Sequence, residues 1–136
     1  MSNLRDEHPL PSLGELETEI MNVLWERRSA TVQDVVDALK PGRSLAYTTV
    51  MTVMTRLAQK GYLERRKDGR SFVYSPTTSR ESVAESALGA VVNRLYRGAA
   101  GKAIAHLLEL EPGVGEEELA RLEALIRAKR KGGGSR

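Results

Sequence analysis

Four cations, Arg65, Arg66, Lys67 and Arg70, crowd into six residues, directly behind a stretch rich in small hydroxyl side chains: Thr48, Thr49, Thr52 and Thr55. Hydroxyls on one side of a helix can approach base edges in a DNA major groove closely, and guanidinium or ammonium groups bind phosphate. The spacing supports this chemistry. Val50, Val53, Met54 and Leu57 recur as one apolar helical face, with Ala46 one turn earlier, while Thr48, Thr52 and Thr55, flanked by Thr49, Met51 and Arg56, occupy the opposite face. Gly61 after Lys60 supplies a helix stop. The period then becomes two: Leu63 and Arg65 alternate, Lys67-Asp68-Gly69-Arg70 reads as a turn, and Phe72 and Tyr74 alternate on the return. A polar-faced helix followed by a basic hairpin is the pattern of a winged helix-turn-helix. Taken alone it also fits a surface helix and hairpin in another small domain.

Charge placement favours the DNA reading. The chain carries only +3 overall, yet residues 1–39 hold three Lys/Arg against eight Asp/Glu, whereas residues 40–70 hold eight against two. The positive potential therefore concentrates on the helix and hairpin, where it would attract a polyanion in a salt-dependent manner.

The elements upstream must hold that helix in place. Residues 1–11, with Pro9 and Pro11, read as a mobile arm. Ser12 with Glu15 has capping-box spacing, and Leu13, Leu16, Ile20, Val23 and Leu24 form the stripe of a helix reaching about Arg28, with Trp25 at its edge as a packing anchor. Thr31 caps a second helix, with Asp34 three residues on and Val32, Val35, Val36 and Leu39 inward. Lys40-Pro41-Gly42 turns the chain, and Ser44 or Thr48 can cap the third helix.

At this point the chain resembles the BlaI/MecI/CopY family of bacterial repressors. The resemblance is carried by Ala46-Tyr47-Thr48-Thr49-Val50-Met51-Thr52-Val53 with Arg56-Leu57, Lys60-Gly61, Tyr74-Ser75-Pro76, the Leu16 to Trp25 run, Asn93 to Gly98 and Glu116 to Ile126. It implies a homodimeric winged-helix repressor on a palindromic operator, with base contacts at Ala46, Thr48, Thr49, Met51 and Thr52. Some relatives carry Ser, Lys and Arg where this chain has Ala46, Thr48 and Met51, so direct guanine reading by a long basic side chain is missing there. Phosphate contacts fall to Arg56, Arg65, Arg66, Lys67 and Arg70.

The second half gives an independent reason to expect a dimer. Ser79 or Ser82 can start a helix bearing Ala84, Ala87, Leu88, Val91 and Leu95 that Gly98 stops; residues 99–110 carry Ile104, Leu107 and Leu108; Pro112-Gly113 breaks the chain; and a last helix from Glu116 carries Leu119, Leu122, Leu125 and Ile126 before Gly132-Gly133-Gly134 ends it. Three short amphipathic helices have too little partner surface within one chain, and a second copy would bury them. The rival arrangement is a monomeric three-helix subdomain.

The expected fold is thus mainly α with a small β-hairpin wing. The expected parts are an arm over 1–11, a winged-helix DNA-binding domain over 12–77, a helical dimerisation domain over 78–131 and a disordered tail over 132–136. The expected partners are double-stranded operator DNA and a second copy, without a cofactor, metal or membrane insertion. With no cysteine, the chain fits a reducing cytoplasm and departs from the copper-responsive branch, whose metal site is built from cysteines. His8 and His106 stand in no catalytic motif and no phosphate-binding loop is present, which argues against an enzyme. β-Lactam-responsive relatives are inactivated by a membrane sensor protease that cuts between Asn and Phe. The corresponding position here is His106-Leu107, which counts against that route and leaves another protease or another signal open. The rival from another class is a winged-helix protein-interaction module that does not bind DNA sequence-specifically.

Overall fold

The computed structural model describes Leu10 and residues 12–133. The expected arm over 1–11 therefore lies outside the described residues except for Leu10, and the last part of the expected tail, 134–136, lies outside as well. Six helices and one hairpin are described: α1 (Glu15–Arg27), α2 (Val32–Leu39), α3 (Tyr47–Lys60), β1 (Leu63–Asp68), β2 (Ser71–Pro76), α4 (Arg80–Leu95), α5 (Ala100–Leu110) and α6 (Glu116–Gly133). The chain divides into two compact units between Gly89 and Ala90. That division falls inside α4, beyond the boundary expected at 77/78. The reason is local: Arg80 donates to the Asn22 side chain at 3.1 Å, and Val83 packs against the core of the first unit.

In the first unit, α1, α2 and α3 surround one apolar core with the base of the hairpin. Ile20, Met21 and Leu24 from α1, Val32, Val35 and Val36 from α2, and Val50, Met54 and Leu57 from α3 are all buried, as their helical spacing requires. Ala46 is not part of this face. It is the exposed N-cap of α3, in extended conformation, and it makes no side-chain cap. The same finding replaces the caps expected from Ser44 or Thr48. α1 likewise begins at Gly14 instead of Ser12, because the Glu17 carboxylate reaches back to accept the Gly14 N–H at 2.8 Å. Thr31 caps α2 as expected: its hydroxyl accepts the Asp34 N–H at 3.1 Å, and Asp34 accepts the Thr31 N–H at 3.0 Å. The Asp34 carboxyl is held below its ordinary range, chiefly by that backbone donor.

Gly61 ends α3 with φ +96, the left-handed conformation that a side chain would strain. The Thr77 hydroxyl then donates to the Gly61 carbonyl at 2.6 Å and the Thr77 N–H to the Tyr62 carbonyl at 2.9 Å, so both ends of the hairpin are tied to the end of α3. The hairpin is longer than the expected turn allows. Lys67 and Asp68 belong to β1, Asp68 pairs with Ser71, and only Gly69 and Arg70 turn the chain. Gly69, at φ +65, meets the positive-φ requirement of a two-residue II′ turn.

In the second unit, Ala103 is the only buried apolar residue among those described. Ser79 accepts the Ser82 N–H at 3.0 Å at the start of α4, and Arg97 (φ 52) and Gly98 (φ 85) reverse the chain after it. The Tyr96 hydroxyl lies 2.9 Å from His106 Nδ1 with the rings edge-on. α6 continues through Gly132 and Gly133, past the expected stop at Lys131. Glycine lowers helix stability without forbidding another turn.

A half-buried ion pair joins the first and third helices: Lys60 Nζ lies 2.8 Å from Glu17 Oε2. Burial pushes the Glu17 carboxyl upward, but the Gly14 N–H, the Lys60 hydrogen bond and the Lys60 and Arg56 charges outweigh it, and the net shift is downward from 4.5. A carboxyl lowered by folding contributes stability above its unfolded pKa and loses it as pH falls through the folded value. Glu17→Gln should cost on the order of 1–3 kcal/mol at neutral pH. It should also remove part of the loss of stability below pH 4.5, as read by urea midpoints across pH.

Candidate nucleic-acid interface

α3 exposes two adjoining stripes. Thr48, Thr49, Thr52 and Arg56 face solvent on one. The Thr52 hydroxyl donates to the Thr48 carbonyl at 2.9 Å, so its hydrogen is engaged and its lone pairs are presented outward. Tyr47, Met51 and Thr55, spaced at i, i+4 and i+8, form the second stripe and line a cleft of about 320 Å³. The hairpin contributes Arg65, Arg70 and Phe72 to the lining of the cleft, and the start of α2 contributes Gln33. Met51, expected among the base-reading residues, is thus turned toward the hairpin, with 39% of its surface exposed.

The hairpin is held to the helices by an interaction the sequence did not announce. Tyr74 in β2 exchanges two backbone hydrogen bonds with Ala30, in the link between α1 and α2: Ala30 N–H to Tyr74 carbonyl at 3.0 Å and Tyr74 N–H to Ala30 carbonyl at 2.9 Å. The Tyr74 ring is 1% exposed and belongs to the core. The register places Arg65 opposite Tyr74 and Lys67 opposite Phe72, on the hairpin face that turns toward the helices, and Arg66 opposite Val73 on the other face.

The expected phosphate-binding cations therefore separate. All five are exposed, and Arg65 alone is also held against its own hairpin. Its guanidinium carbon lies 4.1 Å from the centre of the Phe72 ring, and Nη1 donates to the Tyr74 hydroxyl at 3.3 Å. Arg43, also basic and nearby in sequence, is paired with Glu19 at 3.0 Å. Sequence reasoning missed Tyr47, Phe72 and Gln33 as parts of this surface. The i, i+4, i+8 stripe of Tyr47, Met51 and Thr55 was the signal available for Tyr47; Gln33 had none, since only folding brings α2 beside the hairpin.

Trp25 acts as the expected anchor: its indole N–H donates to the Thr78 carbonyl at 2.8 Å, and the Arg80 guanidinium lies 5.4 Å from its ring centre. Of the ten residues expected at a dimer interface, nine are exposed in the single chain and Leu122 is half-buried. Among the described residues no group of His, Cys, Asp or Glu is placed to hold a metal, and no helix is long and apolar enough to cross a membrane.

A family model described as penicillinase repressor matches residues 13–128. The chain belongs to the penicillinase repressor family. It is 37% identical over 129 residues to the transcriptional regulator BlaI of Mycobacterium tuberculosis, covering 93% of this chain and 91% of that one. It is 31% identical over 108 residues to the penicillinase repressor of Bacillus licheniformis, covering 79% and 84%. Among solved structures, it resembles the monomeric form of Bacillus licheniformis BlaI in complex with the blaP half-operator, at 32% identity and a TM-score of 0.46, over 53% of this chain and 88% of that one. By its family match and its sequence relatives, the mostly helical chain with its two-stranded wing is a DNA-binding transcriptional repressor.

Exposed cations act on DNA mainly through phosphate, without regard to sequence. Arg70, at the hairpin tip, should behave this way. Arg70→Ala should weaken binding to specific and random duplexes alike and lower the slope of log K against log salt by about one unit. A salt titration by fluorescence anisotropy reads both.

Proposed function

We propose that the protein represses transcription as a homodimer on a palindromic operator, one α3 in each of two major grooves on the same face of the duplex. The observation that carries the dimer is the apolar surface of the helices after the wing: Leu95 is 72% exposed, Leu110 70% and Leu125 63%, a density of exposed leucine that an isolated chain would not keep in water. Leu88, Val91, Ile104, Leu107, Leu108, Leu119, Leu122 and Ile126 complete that surface. Two-fold pairing would set the half-sites about one helical turn apart, or a small multiple of it.

Base reading falls to Thr48, Thr49 and Thr52, with Ala46 and Met51 at the margins. Thr52, with its hydrogen engaged by Thr48, would accept from an adenine or cytosine amino group. The Thr and Met methyl groups would contact thymine, and DNA shape would supply further discrimination. Arg56, Arg65, Arg66, Lys67 and Arg70 would bind phosphates. Bound over a promoter, the dimer would occlude polymerase. The names of the relatives favour β-lactam-response or cell-envelope genes as targets, and the protein would act in the cytoplasm without catalysing a reaction.

Selection from random duplexes at near-physiological salt should enrich an inverted repeat. A single half-site would sink the two-fold model, and binding without enrichment would favour the protein-interaction module. Thr49→Ala should then change the selected sequence; uniform weakening would restrict Thr49 to positioning α3. Leu107→Asp should convert the dimer to a monomer in sedimentation velocity. It should also weaken operator binding by about a hundredfold or more, because the second half-site loses its tethered partner.

A further inference from the structure

The cleft between α3 and the wing is built for an anion. Two guanidinium groups, Arg65 and Arg70, line it, and no carboxylate does. Neither arginine has an ion-pair partner among the described residues, where the ion pairs are Arg43–Glu19 and Lys60–Glu17. Neither acid of the hairpin, Glu64 or Asp68, is among the residues that line the cleft, although Ser71, the register partner of Asp68, is.

Arg65 is also prepared for binding. A guanidinium on an aromatic face keeps its N–H groups in the plane, directed past the ring edge. One of them meets the Tyr74 hydroxyl, which leaves donors for a ligand. Tyr74 is locked by the Ala30 bridge, so the guanidinium is positioned before any ligand arrives and little side-chain entropy remains to be lost. Across the cleft stands Tyr47, in the first turn of α3, 47% exposed.

We infer that one DNA backbone phosphate seats in this cleft, held by Arg65 from the wing and by the Tyr47 hydroxyl from α3, with Phe72 as the positioning residue that fixes the guanidinium. The inference rests on the DNA-binding reading and deepens it. Duplex DNA is the occupant because the cleft separates the two elements that grip it: with α3 in a major groove and the wing beside it, the intervening backbone crosses this gap. One phosphate per half-site thus sets the depth at which Thr48, Thr49 and Thr52 meet the bases.

The test replaces each phosphate of the selected operator, one at a time, by an uncharged methylphosphonate and measures affinity. With the wild-type protein, one position in each half-site should lose about tenfold, as expected for a charge-assisted contact. In Arg65→Ala that penalty should fall below about twofold while penalties elsewhere persist, an internal control for folding. Phe72→Leu, which keeps an apolar side chain on the half-exposed wing face, should shrink the penalty at the same position, and Tyr47→Phe should do so by a smaller factor. A penalty that survives everywhere in Arg65→Ala, or a wild-type profile in Phe72→Leu, would overturn the inference and leave the repressor reading intact. A wild-type protein that binds no duplex specifically would overturn the repressor reading and this inference with it.

Discussion

The two hydrogen bonds between Tyr74 and Ala30 set the angle between wing and helices. A two-stranded hairpin is barely stable in water by itself. Here β2 gains a second partner in the α1–α2 link, and its tyrosine is buried in the core cluster. The same residue serves three levels at once. Its backbone closes the sheet, its ring fills the core, and its hydroxyl receives Arg65. Loss of this junction would release the wing from the α1–α2 link even with every basic residue present.

The second constraint is the end of α3. Gly61 turns the chain in a conformation that a side chain would strain, the Thr77 hydroxyl donates to its carbonyl, and Lys60 one residue earlier reaches Glu17. Those contacts place α3 between α1 and the hairpin, with its apolar face inward and its threonines outward. Core packing and solvent exposure thus fall on different faces of one helix: Val50, Met54 and Leu57 hold it, and Thr48, Thr49 and Thr52 stand exposed. In the second unit, by contrast, the helices carry leucines that stay exposed among the described residues.

Much of this was legible without coordinates. Periodicity located α1, α2 and α3 because an amphipathic helix must repeat its apolar residues every three or four positions, and the change to alternation after Gly61 located the wing. Thr31 with Asp34 specified a cap because both partners lie within one turn. The apolar stripes of α4, α5 and α6 were readable for the same reason. Shortfalls occurred where the deciding contact was not periodic. Ser12 and Glu15 have the spacing of a capping box, yet Gly14 and Glu17 use it, since Glu17 is also the residue that Lys60 can reach. Ala46 matched the apolar period of α3 but precedes its first turn.

The sequence by itself carried the family resemblance through its matching residue runs, and local spacing and composition determined the winged-helix order of elements and the concentration of positive charge on α3 and the hairpin. Only the tertiary structure decided which cations are free and which are already engaged: Arg43 is paired with Glu19, and Arg65 is stacked on Phe72. Only it showed that Met51 turns toward the wing and that Ala30, a residue with no signal of its own, anchors Tyr74. Such contacts join positions from 7 to 44 residues apart, as with Arg65–Phe72 and Ala30–Tyr74. No period relates them; the hairpin register brings Arg65 to Phe72, and the closing of the core brings Ala30 to Tyr74.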